Sequence, residues 1–161
     1  NTMNLADEVD LLCFCLMPNH FHLLVKQKSR NGITLLSRRF LTSYAMHFNK
    51  KYHREGSIFQ GKLKGVLIDT EIYLLYLSRY IHRNPIDLEL KGSDPSLTAY
   101  NFSSYKYYLQ KKSATWVKTE EILRFFKSAQ KTSLPDMLSY QSFVEDYDTD
   151  SKTLLGNIAL D

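Results

Sequence analysis

Two short apolar runs open the chain and predict a pair of buried strands. Val9 to Leu16 is nearly continuous in apolar residues, with Asp10 as its interruption, and Phe21 to Val25 is a second run. Both runs have the length of strands. The stretch between them, Met17 to His20, contains proline and asparagine, which favour turns. We therefore expect two strands joined by a short turn.

Helical periodicity begins after Gly32. Apolar residues recur at three- and four-residue steps, which predicts an amphipathic helix ending near Lys51. They are Ile33, Leu36, Phe40, Tyr44 and Phe48. A third strand is predicted over Leu63 to Ile68. Asp69 or Thr70 can then cap a helix that begins at Glu71 and is stopped by Pro85.

The rest of the chain predicts a loop and further helices. Asp87 to Leu97 is typical of a loop, and an aromatic-rich segment, Tyr100 to Tyr108, follows it. Helices are predicted over Thr119 to Lys127 and near Tyr140 to Tyr147. The order strand, strand, helix, strand, helix predicts an α+β fold, a ferredoxin-like antiparallel sheet with helices on one side and a C-terminal helical extension. Its usual opening strand and helix are not visible.

Length and composition favour one compact domain with an appendage. The 161 residues, 43% of them hydrophobic, suffice for one core. No apolar run approaches the roughly 20 residues of a membrane-spanning helix, and the first ten residues lack the layout of a signal peptide. Cys13 and Cys15 lie too close together for a comfortable bridge. We expect a soluble cytoplasmic protein with reduced cysteines and no membrane partner.

Positive charge is concentrated in one segment, although the net charge of the chain is only +4. Between Arg30 and Lys64 there are eight basic residues and one acid, Glu55. This segment is a candidate phosphate-binding face, and an ordinary solvated surface is the competing interpretation. The candidates for contact with a nucleic-acid backbone are Arg38, Arg39, Lys50, Lys51, Arg54, Lys62 and Lys64.

His20 and His22 form a candidate metal site. Because they stand two residues apart at the start of a strand, both rings leave the same face, about 7 Å apart at the backbone. Two imidazoles can share one ion and leave positions open for water or a phosphate oxygen. The alternative is two histidines that merely alternate on a half-buried strand, so the pair alone is only suggestive.

Tyr80 and Asn84 stand one helical turn apart on the second predicted helix. Spacing therefore permits a unit in which the amide oxygen of Asn84 completes a metal site beside the tyrosine hydroxyl. The competing interpretation is a core aromatic, one of 11 tyrosines, and an asparagine that ends the helix. His82 points to another face and is a weaker ligand candidate.

Several separated motifs occur in an order that resembles one protein family. The string Met17 to Val25 is similar to the histidine–hydrophobic–histidine motif of the single-tyrosine HUH transposases, the IS200-like transposases. The likeness is greatest to their REP-associated branch, and it extends from about Leu12 to Tyr147. The other segments that carry it are Leu41–Tyr44, Phe48–Asn49, Gly56–Lys64, Arg79–Pro85, Ser103–Tyr105, Trp116–Thr119 and Tyr140–Glu145.

The resemblance implies a DNA-cleaving and DNA-rejoining activity with a catalytic domain at 1–112 and a helical extension at 113–161. Tyr80 is then the nucleophile that forms a 5′-phosphotyrosine link. His20, His22 and Asn84 are then the ligands of a divalent ion, Mg²⁺ or Mn²⁺. The implied partner is single-stranded or REP-like hairpin DNA, bound by a monomer or homodimer in association with the nucleoid.

Three alternatives stay open at this level. A structural zinc site would use Cys13, Cys15, His20 and His22. A histidine-triad hydrolase would need a third alternating histidine, and Leu24 occupies that position. The third alternative is a domesticated protein that binds DNA hairpins without cleaving them. A covalent adduct with DNA would separate this binder from an enzyme.

Overall fold

The computed structural model describes residues 4–61, 63–87, 96–127 and 139–146. They fall into two compact units. The first unit comprises Asn1–Asp10 and Val25–Val66, and the second comprises Leu11–Leu24 and Leu67–Asp161. Among the helices of these described ranges, none has the length and apolar character needed to cross a bilayer.

The two predicted strands form an antiparallel pair. Strand β1 spans Val9–Leu16 and strand β2 spans Phe21–Gln27. The turn between them is closed by a 2.8 Å hydrogen bond from the Met17 amide to the His20 carbonyl. The prediction of two strands joined by a short turn is therefore confirmed.

Strand β1 also exchanges backbone hydrogen bonds with segments far along the chain. Leu16 donates to the Phe102 carbonyl at 2.8 Å, and Ser104 donates to the Phe14 carbonyl at 2.9 Å. Farther along the strand, Lys118 donates to the Leu11 carbonyl at 2.8 Å. Isolated bridges join Cys15 to Ser103 and Leu11 to Val117. These pairings satisfy polar groups that an edge strand would otherwise expose.

Helix α1, Gly32–Tyr52, belongs to the first unit. Its start requires a glycine, because a Cβ at Gly32 would lie 2.4 Å from the Glu8 carbonyl oxygen. The helix ends at His53, whose left-handed backbone (φ 50°) lets its amide bond back to the Asn49 carbonyl. The predicted extent of this helix is confirmed.

Helix α2, Glu71–Arg83, belongs to the second unit and is followed by a 3₁₀ turn at Asn84–Asp87. Of the two predicted caps, Thr70 is the residue used, since its hydroxyl accepts a hydrogen bond from the Tyr73 amide. The prediction that Pro85 stops the helix is confirmed.

The predicted third strand, Leu63 to Ile68, is wrong. These residues are described without strand structure, and Leu63 and Leu67 are exposed. A strand requires the backbone of a neighbour, and apolar composition alone does not supply one. Gly65 also interrupts the run and weakens any strand tendency.

Three shorter helices follow. Helix α3 spans Tyr105–Tyr108, α4 spans Glu120–Lys127 and α5 spans Tyr140–Glu145. The last two confirm the helical extension, although Tyr147 lies outside the described residues, as does most of the predicted loop. The α+β class is confirmed, and the antiparallel strands with their helices are consistent with a ferredoxin-like arrangement.

The hydrophobic core described by the structure lies in the second unit. Strand β1 contributes Leu12, Cys13 and Cys15, and α2 contributes Leu75, Tyr80 and Ile81. Strand β2 contributes Leu24. Leu97 and helices α3, α4 and α5 complete it, the helices with Tyr105, Tyr108, Ile122, Tyr140, Phe143 and Val144. The C-terminal helices thus share one core with the strand and helix that carry the candidate chemistry.

Candidate active site

The rings of His20 and His22 lie against each other. His20 is the last residue of the turn, and His22 is the second residue of β2. Their ring centroids are 4.9 Å apart, with the rings nearly perpendicular. Alternation along extended backbone places both side chains on one face, as the spacing predicted. The structure therefore brings the two imidazoles close enough to serve one ion.

The turn residue Asn19 determines which nitrogen of His20 is available. Its Oδ1 atom lies 2.7 Å from Nδ1 of His20. Because an amide oxygen only accepts, this contact favours the tautomer with its hydrogen on Nδ1, the one that presents Nε2 as the ligand atom. Ligating histidines characteristically have their second nitrogen held in this way. His20 is also solvent-exposed, so an ion can reach it.

Helix α2 places Tyr80 beside His22. The two ring centroids are 5.5 Å apart in an edge-to-face arrangement. Tyr80 belongs to the core cluster and is 6% exposed, so packing holds the position of its ring. The structure therefore brings together three of the residues singled out in the sequence: His20, His22 and Tyr80.

Asn84 lies directly after α2 and contacts the backbone of Tyr80. Its amide Nδ2 donates to the Tyr80 carbonyl at 3.3 Å, and its backbone N–H donates to the same oxygen. It therefore ends the helix, as one interpretation of the sequence held. Because the side-chain nitrogen is the donor in this bond, the Oδ1 atom keeps its capacity to accept or to coordinate.

The donor set fits a divalent ion with open coordination positions. Two imidazole nitrogens and an amide oxygen are ligands that Mn²⁺ accepts, and Mg²⁺ would rely more on water and phosphate oxygens. In the described ranges, no group of three or more His, Cys, Asp or Glu side chains is placed to hold a metal. A site here therefore needs the amide, water or the substrate as further ligands.

The cysteines provide no alternative metal site. Cys13 and Cys15 are fully buried in the core. Burial raises the pKa of the Cys15 thiol to about 12 and that of Cys13 well above its ordinary value. Neutral thiols are poor ligands. The four-residue zinc site is therefore wrong, because the part of the chain with described structure contains no such cluster.

His82 is surrounded as a structural core residue is, and not as a metal ligand is. Its two ring nitrogens lie 2.7 Å from the hydroxyls of Tyr140 and Ser104. Complete burial lowers its pKa to about 3, so the ring is neutral. Its neighbours Tyr105 and Tyr108 pack against the ring from α3. His82 therefore links helix α2 to the C-terminal segment.

Two arginines of α2 contact helix α5 as well. Arg79 is fully buried, and its guanidinium lies 4.8 Å from the ring centroids of both Tyr76 and Phe143. Arg83 donates to the Val144 carbonyl at 2.6 Å. Sequence reasoning missed these contacts, because no local spacing relates residues 79–83 to residues 140–144.

The basic candidates belong to the first unit and are mostly exposed. Lys62 lies outside the described residues. Within the described residues, none of the other six forms an ion pair with a carboxylate. Arg39 is partly buried, and the exposed ones are Arg38, Lys50, Lys51, Arg54 and Lys64. Unneutralised cations of this kind are available to phosphates.

A comparison with protein families gives a match. The family model for "Transposase IS200 like" matches residues 2–84, just over half of the chain. The matched region includes both histidines, Tyr80 and Asn84. Neither the curated proteins nor the solved structures contain a match.

Proposed function

Because the chain belongs to the IS200-like transposase family, we infer that it cleaves and rejoins single-stranded DNA with Tyr80 as its nucleophile. The family membership supports DNA transposition as the general activity. The contact of Tyr80 with His22, at 5.5 Å between ring centroids, is the observation that supports this particular tyrosine.

Three other tyrosines of the second unit are less suited to this reaction. Tyr108 and Tyr140 are core residues of the second unit, and burial raises their pKa well above its ordinary value. Tyr105 is buried beside Glu145, and both features raise its pKa too. A phenol that resists ionisation is a poor nucleophile. Tyr80 combines a fixed position with a neighbouring histidine pair.

The proposed reaction is a transesterification, in which the phosphoryl group passes from the 3′ oxygen of DNA to the oxygen of Tyr80. The Tyr80 phenol loses its proton, its oxygen forms a bond to the scissile phosphorus, and the bond from phosphorus to the 3′ oxygen breaks. The freed 3′ oxygen takes up a proton, and the 5′ end stays on Tyr80 as a phosphotyrosine. The covalent link preserves the phosphodiester for rejoining when a 3′-hydroxyl attacks it.

His20, His22 and Asn84 would hold the divalent ion, Mn²⁺ or Mg²⁺. When bound, this ion supplies Lewis-acid stabilisation of charge on a phosphate oxygen. Asn19 orients His20 for this purpose, and the packing of His22 between His20 and Tyr80 fixes the second imidazole. The residues of the chain thus hold the phosphate and the phenol in a fixed relation.

The proposed substrate is single-stranded or hairpin DNA of the REP type, with chromosomal DNA in the cytoplasm as its setting. The cations Arg38, Arg39, Lys50, Lys51, Arg54, Lys62 and Lys64 would contact its phosphates. The similarity of the motifs to the REP-associated branch supports the hairpin. The proposal is compatible with a monomer or a homodimer. Residues 1–112 would form the catalytic domain and residues 113–161 the helical extension.

The test is formation of a covalent protein–DNA adduct. Labelled hairpin DNA with single-stranded flanks is incubated with Mn²⁺ and the protein, and adducts are separated under denaturing conditions. Wild type is expected to form the adduct, and Tyr80→Phe is expected to reduce it at least about a thousandfold. His20→Ala and His22→Ala should reduce cleavage while leaving salt-dependent DNA binding in place.

Tyr76→Phe is the matched control, because it removes a hydroxyl from the same helix one turn earlier. It should form the adduct at nearly the wild-type rate. An adduct that persists in Tyr80→Phe would move the nucleophile elsewhere. DNA binding without an adduct in any variant would identify a hairpin-binding protein that does not cleave.

A further inference from the structure

Three aromatic rings of the second unit form a partly exposed cluster, here called the Trp116 platform: Phe14, Tyr107 and Trp116. Trp116 stacks on Phe14, with 5.7 Å between ring centroids and 25° between the ring planes. Tyr107 contacts both rings, at 5.7 Å from Trp116 and 6.4 Å from Phe14. Trp116 is nevertheless 54% exposed, which is unusual for the largest apolar side chain.

Hydrogen bonds hold the segments that carry Tyr107 and Trp116 against strand β1. The Phe14 amide donates to the Ser104 hydroxyl at 2.8 Å, and the Lys118 amide donates to the Leu11 carbonyl at 2.8 Å. Val117, next to Trp116, is buried in its bridge with Leu11. The exposed indole is therefore fixed in position, which lowers the entropy cost of stacking a ligand on it.

The segment that carries Tyr107 and Trp116 is positively charged. Residues 96–119 include no acidic residue and four lysines: Lys106, Lys111, Lys112 and Lys118. Lys112 lies over Tyr107, with Nζ 5.4 Å from the ring centroid. Lys111, Lys112 and Lys118 are exposed, and within the described residues none of them is ion-paired. Aromatic faces beside unpaired cations are the combination that binds single-stranded nucleic acids.

We propose that the Trp116 platform is a second DNA-binding surface, on which a base of single-stranded DNA stacks against Trp116 while neighbouring lysines contact its phosphates. The choice of DNA rests on the proposed function. Except for Phe14, the platform lies outside the residues that match the family model. It includes none of the residues of the histidine–tyrosine site.

The chain's single tryptophan makes the test direct. Trp116 fluorescence is titrated with a short oligothymidylate, using the Tyr80→Phe protein so that no cleavage occurs. Saturable quenching that weakens with salt is expected. An abasic oligomer with the same number of phosphates is the matched probe and should quench far less, because it has no base to stack. Equal quenching by both oligomers, or none by either, would overturn the proposal.

Variants test the same contacts by anisotropy of a dye-labelled oligothymidylate. Trp116→Leu should weaken binding about five- to hundredfold, whereas Trp116→Phe should recover much of it, because a ring remains for stacking. Lys112→Gln should weaken binding and reduce its salt dependence. Lys127→Gln removes one charge from a lysine paired with Glu120 and serves as the control. Unchanged affinity in Trp116→Leu would overturn the proposal.

The two proposals fail separately. If wild type forms the adduct but Trp116 is not quenched, the proposed DNA-binding role of the platform is wrong and the proposed nuclease activity stands. If quenching depends on the base but no adduct forms, the DNA-binding role of the platform stands and the proposed catalytic function is wrong.

Discussion

Asn19, in the turn between β1 and β2, orients His20 of the candidate metal site. Its oxygen bonds Nδ1 of His20 and so leaves Nε2 to coordinate. Asn19→Ala is expected to weaken Mn²⁺ binding about 10- to 100-fold, which is typical when the partner of a ligating histidine is lost. Isothermal titration calorimetry measures the effect. Asn19→Asp, which keeps an acceptor, should retain most of the affinity.

Asn101→Ala is the control for this measurement, since it also removes an exposed amide that accepts a hydrogen bond, here from Lys106. It should leave Mn²⁺ binding unchanged. An Asn19→Ala protein with wild-type affinity would show that the turn does not orient a ligand.

Gly32 is required by a close backbone approach. Gly32→Ala would press a methyl group against the Glu8 carbonyl oxygen, so the free energy of unfolding should fall by about 1–3 kcal/mol. Gly65→Ala is the matched control, because a Cβ there meets nothing within 4 Å. Its effect should stay below about 1 kcal/mol. Urea denaturation compares the two, and equal stabilities would contradict this account of α1.

At this scale, the sequence predicted the residues that local spacing relates. His20 with His22, and Tyr80 with Asn84, stand two and four residues apart, and regular backbone geometry places them together. The contact of His22 with Tyr80 depends on tertiary packing, so residue spacing could not predict it. The family resemblance assigned both residues to one active site. The partner of His20 was visible in the sequence as the adjacent Asn19, but its role was not recognised.

Between elements, the main feature is the attachment of α5 to α2. His82, Arg79 and Arg83 of α2 all contact residues of α5, and Tyr140 hydrogen-bonds both His82 and Ser78. Helix α5 therefore stabilises the helix that carries Tyr80. Both helices were predicted from the sequence, whereas their contact was not. The failed third strand has a related cause, since a strand depends on a partner that composition does not specify.

The buried histidine gives this contact a pH dependence. In the unfolded chain, His82 takes up a proton near pH 6.5, but in the folded chain its pKa is about 3. Between these values the unfolded state binds more protons, so the free energy of unfolding falls as the pH is lowered. The contribution of one such group is at most about 1.4 kcal/mol per pH unit. Above pH 6.5 the His82 ring is neutral in both the folded and the unfolded chain, so this pH dependence of the free energy of unfolding ends there.

Urea denaturation between pH 7 and pH 5, with EDTA present, measures this contribution. His82→Gln is expected to be less stable at neutral pH and to lose stability less steeply on acidification. His47→Gln, which removes an exposed histidine from α1, is the control and should follow wild type. Equal slopes for His82→Gln and wild type would contradict a neutral, buried His82.

At the scale of the whole molecule, the family match covers only the first part of the described structure. The matched region ends at Asn84, while the core of the second unit continues through α3, α4 and α5. The sequence predicted the α+β class and the C-terminal helices from periodicity. It did not predict that residues 102–104 and 117–118 bond to β1, because nothing local in those segments indicates a strand partner.

Tyr80 is the residue proposed to form the covalent bond to DNA. The most direct test of this role is to trap the adduct on hairpin DNA, digest the DNA and protein, and identify the nucleotide-bearing peptide by mass spectrometry. Wild type is expected to carry a nucleotide phosphate on Tyr80, and His20→Ala is expected to lose it. A phosphate mapped to Tyr76, Tyr73 or any other residue would show that Tyr80 is not the nucleophile.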